Sequence, residues 1–172
     1  MKIRIIGSVG SGKTTLAKKL SDMEGISFFE TDRIVWKREQ TEVRRTEPEK
    51  RELLKQIICQ PDWIIEGVHI ESWAMESFTQ ADVVIFLDIP KHQIRYQLIK
   101  RQIKQLLRIE SAHYPIRIKM LKQMFYWDNL FDSKTKPIIQ NKRMEKPQKW
   151  LTIKKKSEIK KILQTISSRD IV

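Results

Sequence analysis

Gly7, Gly10 and Gly12, three of the five glycines in a chain of 172 residues, fall within six positions, and Lys13 and Thr14 follow at once. The spacing is G-x-x-x-x-G-K-[ST], and the chemistry it serves is the holding of phosphate. Glycines let the chain fold tightly enough for successive backbone N–H groups to point into one concavity, an anion nest completed by a helix N-terminus. Lys13 is then placed to reach the β- and γ-phosphates of a nucleoside triphosphate, and the Thr14 hydroxyl to ligate Mg²⁺. Gly7, Gly10, Ser11, Gly12, Lys13, Thr14 and Thr15 are the expected nucleotide-binding residues. The alternative, a glycine turn with an incidental lysine, is disfavoured because the stretch follows an apolar run and opens an amphipathic one.

Such a phosphate-binding loop (P-loop) implies ATP or GTP and leaves open what is done with it. In open α/β sheets ligands bind beyond the C-terminal ends of the strands, so acids and small residues there are the acceptor candidates. Asp32 follows the second apolar run, Glu66 and Gly67 end the third, and Asp88 ends the fourth. Asp32 is placed to take a proton from an acceptor hydroxyl or to hold a magnesium-bound water, or else it is a helix cap or turn residue. Asp88 reads as a cap for the helix after Pro90, and Glu66 either orients magnesium and water or makes a buried strand-end hydrogen bond. His69 is an acceptor contact or a structural histidine, while Trp36 and Trp73 wall the acceptor pocket or belong to the core. His92 and His113 have no partner spacing, and no Cys/His cluster suggests zinc. Cys59, the only cysteine, stands on an apolar helix face and reads as packing.

The elements that must position these residues alternate strand and helix, the pattern of βαβ units around a parallel sheet. Strands are expected at 2–7, 26–31, 62–67, 82–88 and 149–153. The run 83–87 is apolar throughout, as in a strand buried on both faces. Helices are expected at 14–23, 48–60, 90–108 and 115–130, with one more after 153. Between them 36–47 is polar and highly charged. Its cations, with Arg33, Lys37, Arg38, Arg44 and Arg45, suggest an anionic acceptor or else a solvated loop.

The formal net charge is +13, and between Lys91 and Lys149 fifteen Lys and Arg face four acids. That segment should attract phosphate-bearing partners, unless it is a solvated basic face. No apolar run is long enough to span a bilayer, and the first residues lack a signal-peptide pattern, so a cytoplasmic protein without a membrane partner is expected.

With "IIGSVGSGKTTLAKKL", "GISFFETDRIVW", "DWIIEG", "QADVVIFLDIP" and the basic helix to "LIKR" assembled, the chain resembles the adenylate-kinase-like P-loop kinases. Within them it looks closest to the small bacterial DNA-topology-modulation proteins. Glu66 stands where that group has Asp, and Val68-His69 where it has Asn-Tyr. The resemblance implies an α/β, three-layer P-loop NTPase fold with a five-stranded parallel sheet, nucleoside- and shikimate-kinase-like, in one domain over 1–172. It implies an acceptor-binding insertion near 33–60 and a basic helical lid near 91–130. ATP and Mg²⁺ are the implied cofactors, and Lys13, Asp32 and Arg101 the catalytic residues, with Arg108 and Arg117 as further lid cations. Asp32, Trp36, Gly67 and His69 would bind an acceptor that is small and polar or anionic. The expected activity is transfer of the γ-phosphoryl group of ATP to that acceptor. A nucleic-acid-associated ATP-binding protein and a nucleotide-dependent switch are the competing readings, and neither has a recognition motif of its own here.

Overall fold

The structure, a computed structural model, describes residues 1–38, 42–106, 118–145 and 149–168. Its centre is a five-stranded parallel sheet of β1 (Lys2–Gly7), β2 (Phe28–Glu30), β5 (Trp63–Glu66), β6 (Val83–Leu87) and β7 (Trp150–Ile153), in the order β2-β5-β1-β6-β7. Alternation along each strand divides the core in two. Ile3, Ile5, Ile64, Val83, Ile85 and Leu87 point to one face, where α1 (Lys13–Glu24), α5 (Lys91–Leu106), α6 (Ile118–Leu130) and α8 (Glu158–Ser167) cover them. Ile6, Trp63, Ile65, Val84 and Phe86 point to the other, against α3 (Glu47–Ile58) and α4 (Met75–Gln80). Helices on both faces of a buried parallel sheet make the expected three-layer α/β fold.

Several boundaries differ from the sequence reading, each for a local reason. The second strand stops at Glu30, because Thr31 starts a five-residue helix, α2 (Thr31–Val35), which carries Asp32 in its first turn. The charged stretch after it is a two-stranded antiparallel ribbon, β3 (Trp36–Arg38) with β4 (Glu42–Arg44), rather than an irregular loop. α3 starts at Glu47 behind a capping box of Thr46 and Glu49, with Pro48 in its first turn. Cys59, expected in the packing, is exposed at the C-terminal end of α3, one position past the apolar residues Ile57 and Ile58.

The helix ending at Leu130 does not stop there. A π-helical turn, Phe131–Thr135, carries it into α7 (Lys136–Glu145). Met124 packs on one face of the sheet and Phe131 and Ile139 on the other, so this helix crosses from one layer to the other beside the strand ends. Pro137 lies just beyond the widened turn, where the loosened hydrogen-bond ladder accepts a residue without an N–H.

Candidate active site at the strand ends

The C-terminal ends of the strands form one edge, with Glu30 beside Glu66, Gly7 beside Leu87, and Leu87 beside Ile153 in register. The phosphate-loop residues, Asp32, Gly67 and His69 sit at or beside that edge. Gly7 is the last residue of β1, and Ser8 to Ser11 turn back on themselves, closed by a Ser11 N–H donated to the Ser8 carbonyl at 3.2 Å. Gly10 has φ +74°, and a Cβ there would stand 2.7 Å from Leu98 on α5. Only glycine allows both that conformation and that approach. Gly12 caps α1, whose first turn holds Lys13, Thr14 and Thr15.

In this loop Lys13 is buried and donates from Nζ to the Ser8 carbonyl at 2.8 Å. Burial lowers its pKa, while the Glu66 and Asp32 carboxylates act in the opposite direction. Thr14 donates from Oγ1 to Glu66 Oε1 at 2.7 Å. Glu66 is 4% exposed, and burial raises its pKa although Lys13 and Thr14 pull it down. A threonine hydroxyl beside a carboxylate is a hard-oxygen donor set of the kind Mg²⁺ takes with phosphates. The residues present therefore fit a magnesium nucleotide.

The acceptor side is assembled from two separate stretches of chain, 31–36 and 67–73. Gly67 leaves β5 at φ +146°, and a Cβ there would fall 1.7 Å from Thr31 Oγ1, so the strand end passes directly against the residue before Asp32. His69 Nε2 lies 3.3 Å from Asp32 Oδ1, and its Nδ1 lies 3.1 Å from both Glu71 carboxylate oxygens. Burial works to lower the His69 pKa and the two carboxylates outweigh it, so it lies above the ordinary histidine value. Glu71 is pulled down to about 2 by its bond to that ring. Trp36 is partly exposed at the start of β3. Trp73 is buried in the core, its ring 5.5 Å from that of His69, so only one of the two tryptophans is available as a wall.

Three cations of the charged stretch are engaged within the protein, and Arg44 is exposed. Lys37 pairs with Glu49 at 2.8 Å, and Arg33 Nε lies 3.3 Å from Glu30. Arg45 donates to the carbonyls of Arg33, Ile34 and Trp36, pinning the ribbon to α2. The Arg38 side chain lies outside the described residues. Arg101 is half-buried on α5, on the face that Ile94 and Leu98 press against the phosphate loop. Arg108 and Arg117 lie outside the described residues. Asp88, expected to cap α5, is instead held by Lys136 Nζ at 2.6 Å, because the π-helical turn delivers α7 to the end of β6.

Two further residues shape the site and were not singled out from the sequence. Arg4, fully buried on β1, donates to the carbonyls of Ile5, Ile65, Gly67 and His69 and lies 4.7 Å from the Phe78 ring centroid. Burial lowers its pKa to about 10 despite the pull of Glu66 and Glu71. An arginine inside an otherwise apolar central strand is the signal that could have found it. Asp128 on α6 is 1% exposed and accepts from Ser8 Oγ at 2.6 Å, joining α6 to the phosphate loop. Its signal was a carboxylate on the stripe of Leu121, Met124 and Phe125.

Comparison with known proteins agrees with the fold. The family model for shikimate kinase matches residues 9–167. Among solved structures, the chain is similar to a shikimate kinase from Bacteroides thetaiotaomicron, with a TM-score of 0.57 and 17% identity over 100% of this chain and 99% of that one. A shikimate kinase from Aquifex aeolicus gives 0.50 and 20% identity over 99% of both chains. A gluconokinase from Sinorhizobium meliloti gives 0.53 and 11% over 95% of this chain and 87% of that one. No curated protein matches the chain in sequence.

Proposed function

The chain belongs to the shikimate kinase family, P-loop kinases that transfer a phosphoryl group to a small molecule, and we propose that it moves the γ-phosphoryl group of ATP onto a hydroxyl of a small polyhydroxylated acid. The observation that supports this reading is the placing of two oppositely charged groups beyond the strand ends. Lys13 lies in the phosphate loop on one side, Asp32 at the mouth between β2 and β5 on the other, and the Asp32 charge acts on the Lys13 ammonium. Shikimate and gluconate, the acids named in the relatives, are hydroxylated carboxylates of that class.

The roles follow from position. Lys13 would exchange its bond to the Ser8 carbonyl for the β- and γ-phosphate oxygens, neutralising charge where it develops. Thr14, with Glu66 behind it, would hold Mg²⁺, which supplies electrostatic stabilisation to the phosphates when bound. Asp32 would receive the acceptor proton, with Gly67 and His69 shaping the mouth and Trp36 as its outer wall. Arg101 would lead the basic lid, near 91–130, over the phosphates, and the segment near 33–60 would hold the acceptor. We assign the reaction to one domain in the cytoplasm; the described residues include no helix long and apolar enough to cross a membrane. The finer likeness to the DNA-topology-modulation proteins rests on Asp32, Trp36 and the 80–90 stretch, and it adds no reaction to this reading.

ATP turnover with shikimate, gluconate, nucleosides and nucleotides, run beside Lys13→Ala, tests the proposal. One hydroxylated acceptor should raise turnover above the variant. Stimulation by nucleic acid and by none of the small molecules would overturn it.

A further inference from the structure

Asp32 is not left to find its own orientation. One imidazole, that of His69, lies between Asp32 on α2 and Glu71 just before the turn Ser72–Ala74. Glu71 meets Nδ1 with both oxygens at 3.1 Å, and Asp32 meets Nε2 at 3.3 Å. The ring rests against Trp73, its side chain is 16% exposed, and its carbonyl accepts from Arg4 Nη2 at 3.0 Å. Backbone and ring are thus both fixed. An imidazole can donate to two carboxylates only when both nitrogens carry hydrogen, that is, as imidazolium.

We propose that His69, clamped by Glu71, is the positioning residue of the transfer reaction, its imidazolium fixing the Asp32 carboxylate in ionised form toward the acceptor hydroxyl. This rests on the reading of Asp32 as proton acceptor. In the transfer, the acceptor oxygen bonds to the γ-phosphorus as its proton passes to Asp32. The bond from that phosphorus to the β–γ bridging oxygen breaks, and the electron pair leaves on ADP. Asp32 afterwards returns the proton to water, and His69 keeps both of its protons throughout.

The surroundings support a charged ring. The two carboxylates hold the His69 pKa above its ordinary value against burial, and Glu71 is ionised down to about pH 2. Of the other charged groups packed nearby, Arg4 from β1 is directed to backbone carbonyls. Lys50 from α3 lies 5.6 Å from the Trp73 ring centroid, and Glu66 at the end of β5 is engaged with Thr14. None of these is bonded to the imidazole.

NMR titration of the full chain tests the clamp. The chain has three histidines, so His92→Gln and His113→Gln identify the His69 resonances. His69 should titrate above about 6.5 and fall back toward that value in both Asp32→Asn and Glu71→Gln. A His69 that titrates at or below 6.5 and ignores both variants would overturn the proposal. The second readout is the pH profile of His69→Gln, which keeps a donor without charge, with ATP and either shikimate or gluconate as probe. The expected result is about tenfold lower kcat with KM nearly unchanged, and an acid limb of kcat/KM moved to higher pH as Asp32 loses the cation in contact with it and keeps only the more distant influence of Lys13. An unmoved limb would also overturn it. If the wild type turns over neither probe while the titration stays coupled, the acceptor assignment fails and the clamp of Asp32 by His69 stands.

Discussion

The phosphate loop and the acceptor mouth share one edge of the sheet and are made in opposite ways. The first is eight consecutive residues that combine backbone N–H groups with the Lys13 and Thr14 side chains, and a single stretch of sequence announces them by spacing. The second is a meeting of Asp32 on α2 with Gly67, His69 and Glu71 on the stretch after β5, held by side chains and by Arg4 from β1. A site of the first kind is defined by conformation. A site of the second kind is defined by tertiary contacts, and it depends on everything that keeps those contacts in register.

That difference can be broken from either side. Lys13→Ala should leave folding intact and cut phosphoryl transfer about a thousandfold, read as ATP turnover alongside an unchanged circular dichroism spectrum. Arg4→Met should do the reverse: with four carbonyls deprived of their donor, stability should fall by about 3 kcal/mol in urea denaturation. Gly67→Ala combines a positive φ with a clash against Thr31 and should lower turnover about a hundredfold. Binding of a fluorescent ATP analogue should stay near wild type, and an equal loss of nucleotide binding would show that the two halves are not separable.

The smallest effect is one of acidity. Glu71 has a pKa lowered to about 2 in the fold, so its stabilising contribution is present above the ordinary carboxylate range and is lost as pH falls toward 2. Its side chain is about half exposed, and solvent screening reduces the contribution to about 1 kcal/mol. Glu71→Gln should therefore be less stable than wild type at pH 7, and the gap should close during acid titration followed by fluorescence.

The sheet was legible because its strands are apolar and its helices periodic, and both patterns report burial directly. The ribbon β3–β4 was not, because its residues are charged on both faces and show no alternation. Nor was α7 read from the sequence, since Pro137 ordinarily ends a helix and no local pattern announces a π-helical turn. In the site, Lys13 and Thr14 were legible from spacing alone. Asp32, Gly67 and His69 were candidates by their position after strands, but Glu71 and Arg4 act through partners up to 65 positions away. Such pairings exist only once the chain has folded. The cations between 33 and 45 carry a task that their types do not announce: the fold uses Lys37 and Arg45 to hold its own ribbon.

Arg4 grips the mouth by carbonyls, a group that every residue carries. The loop from Gly67 to His69 is therefore secured in part through its backbone, a hold that does not depend on which side chain stands at 68. A scaffold built this way can be re-lettered for a different acceptor with its nucleotide half untouched, so substrate preference and fold can be inherited separately.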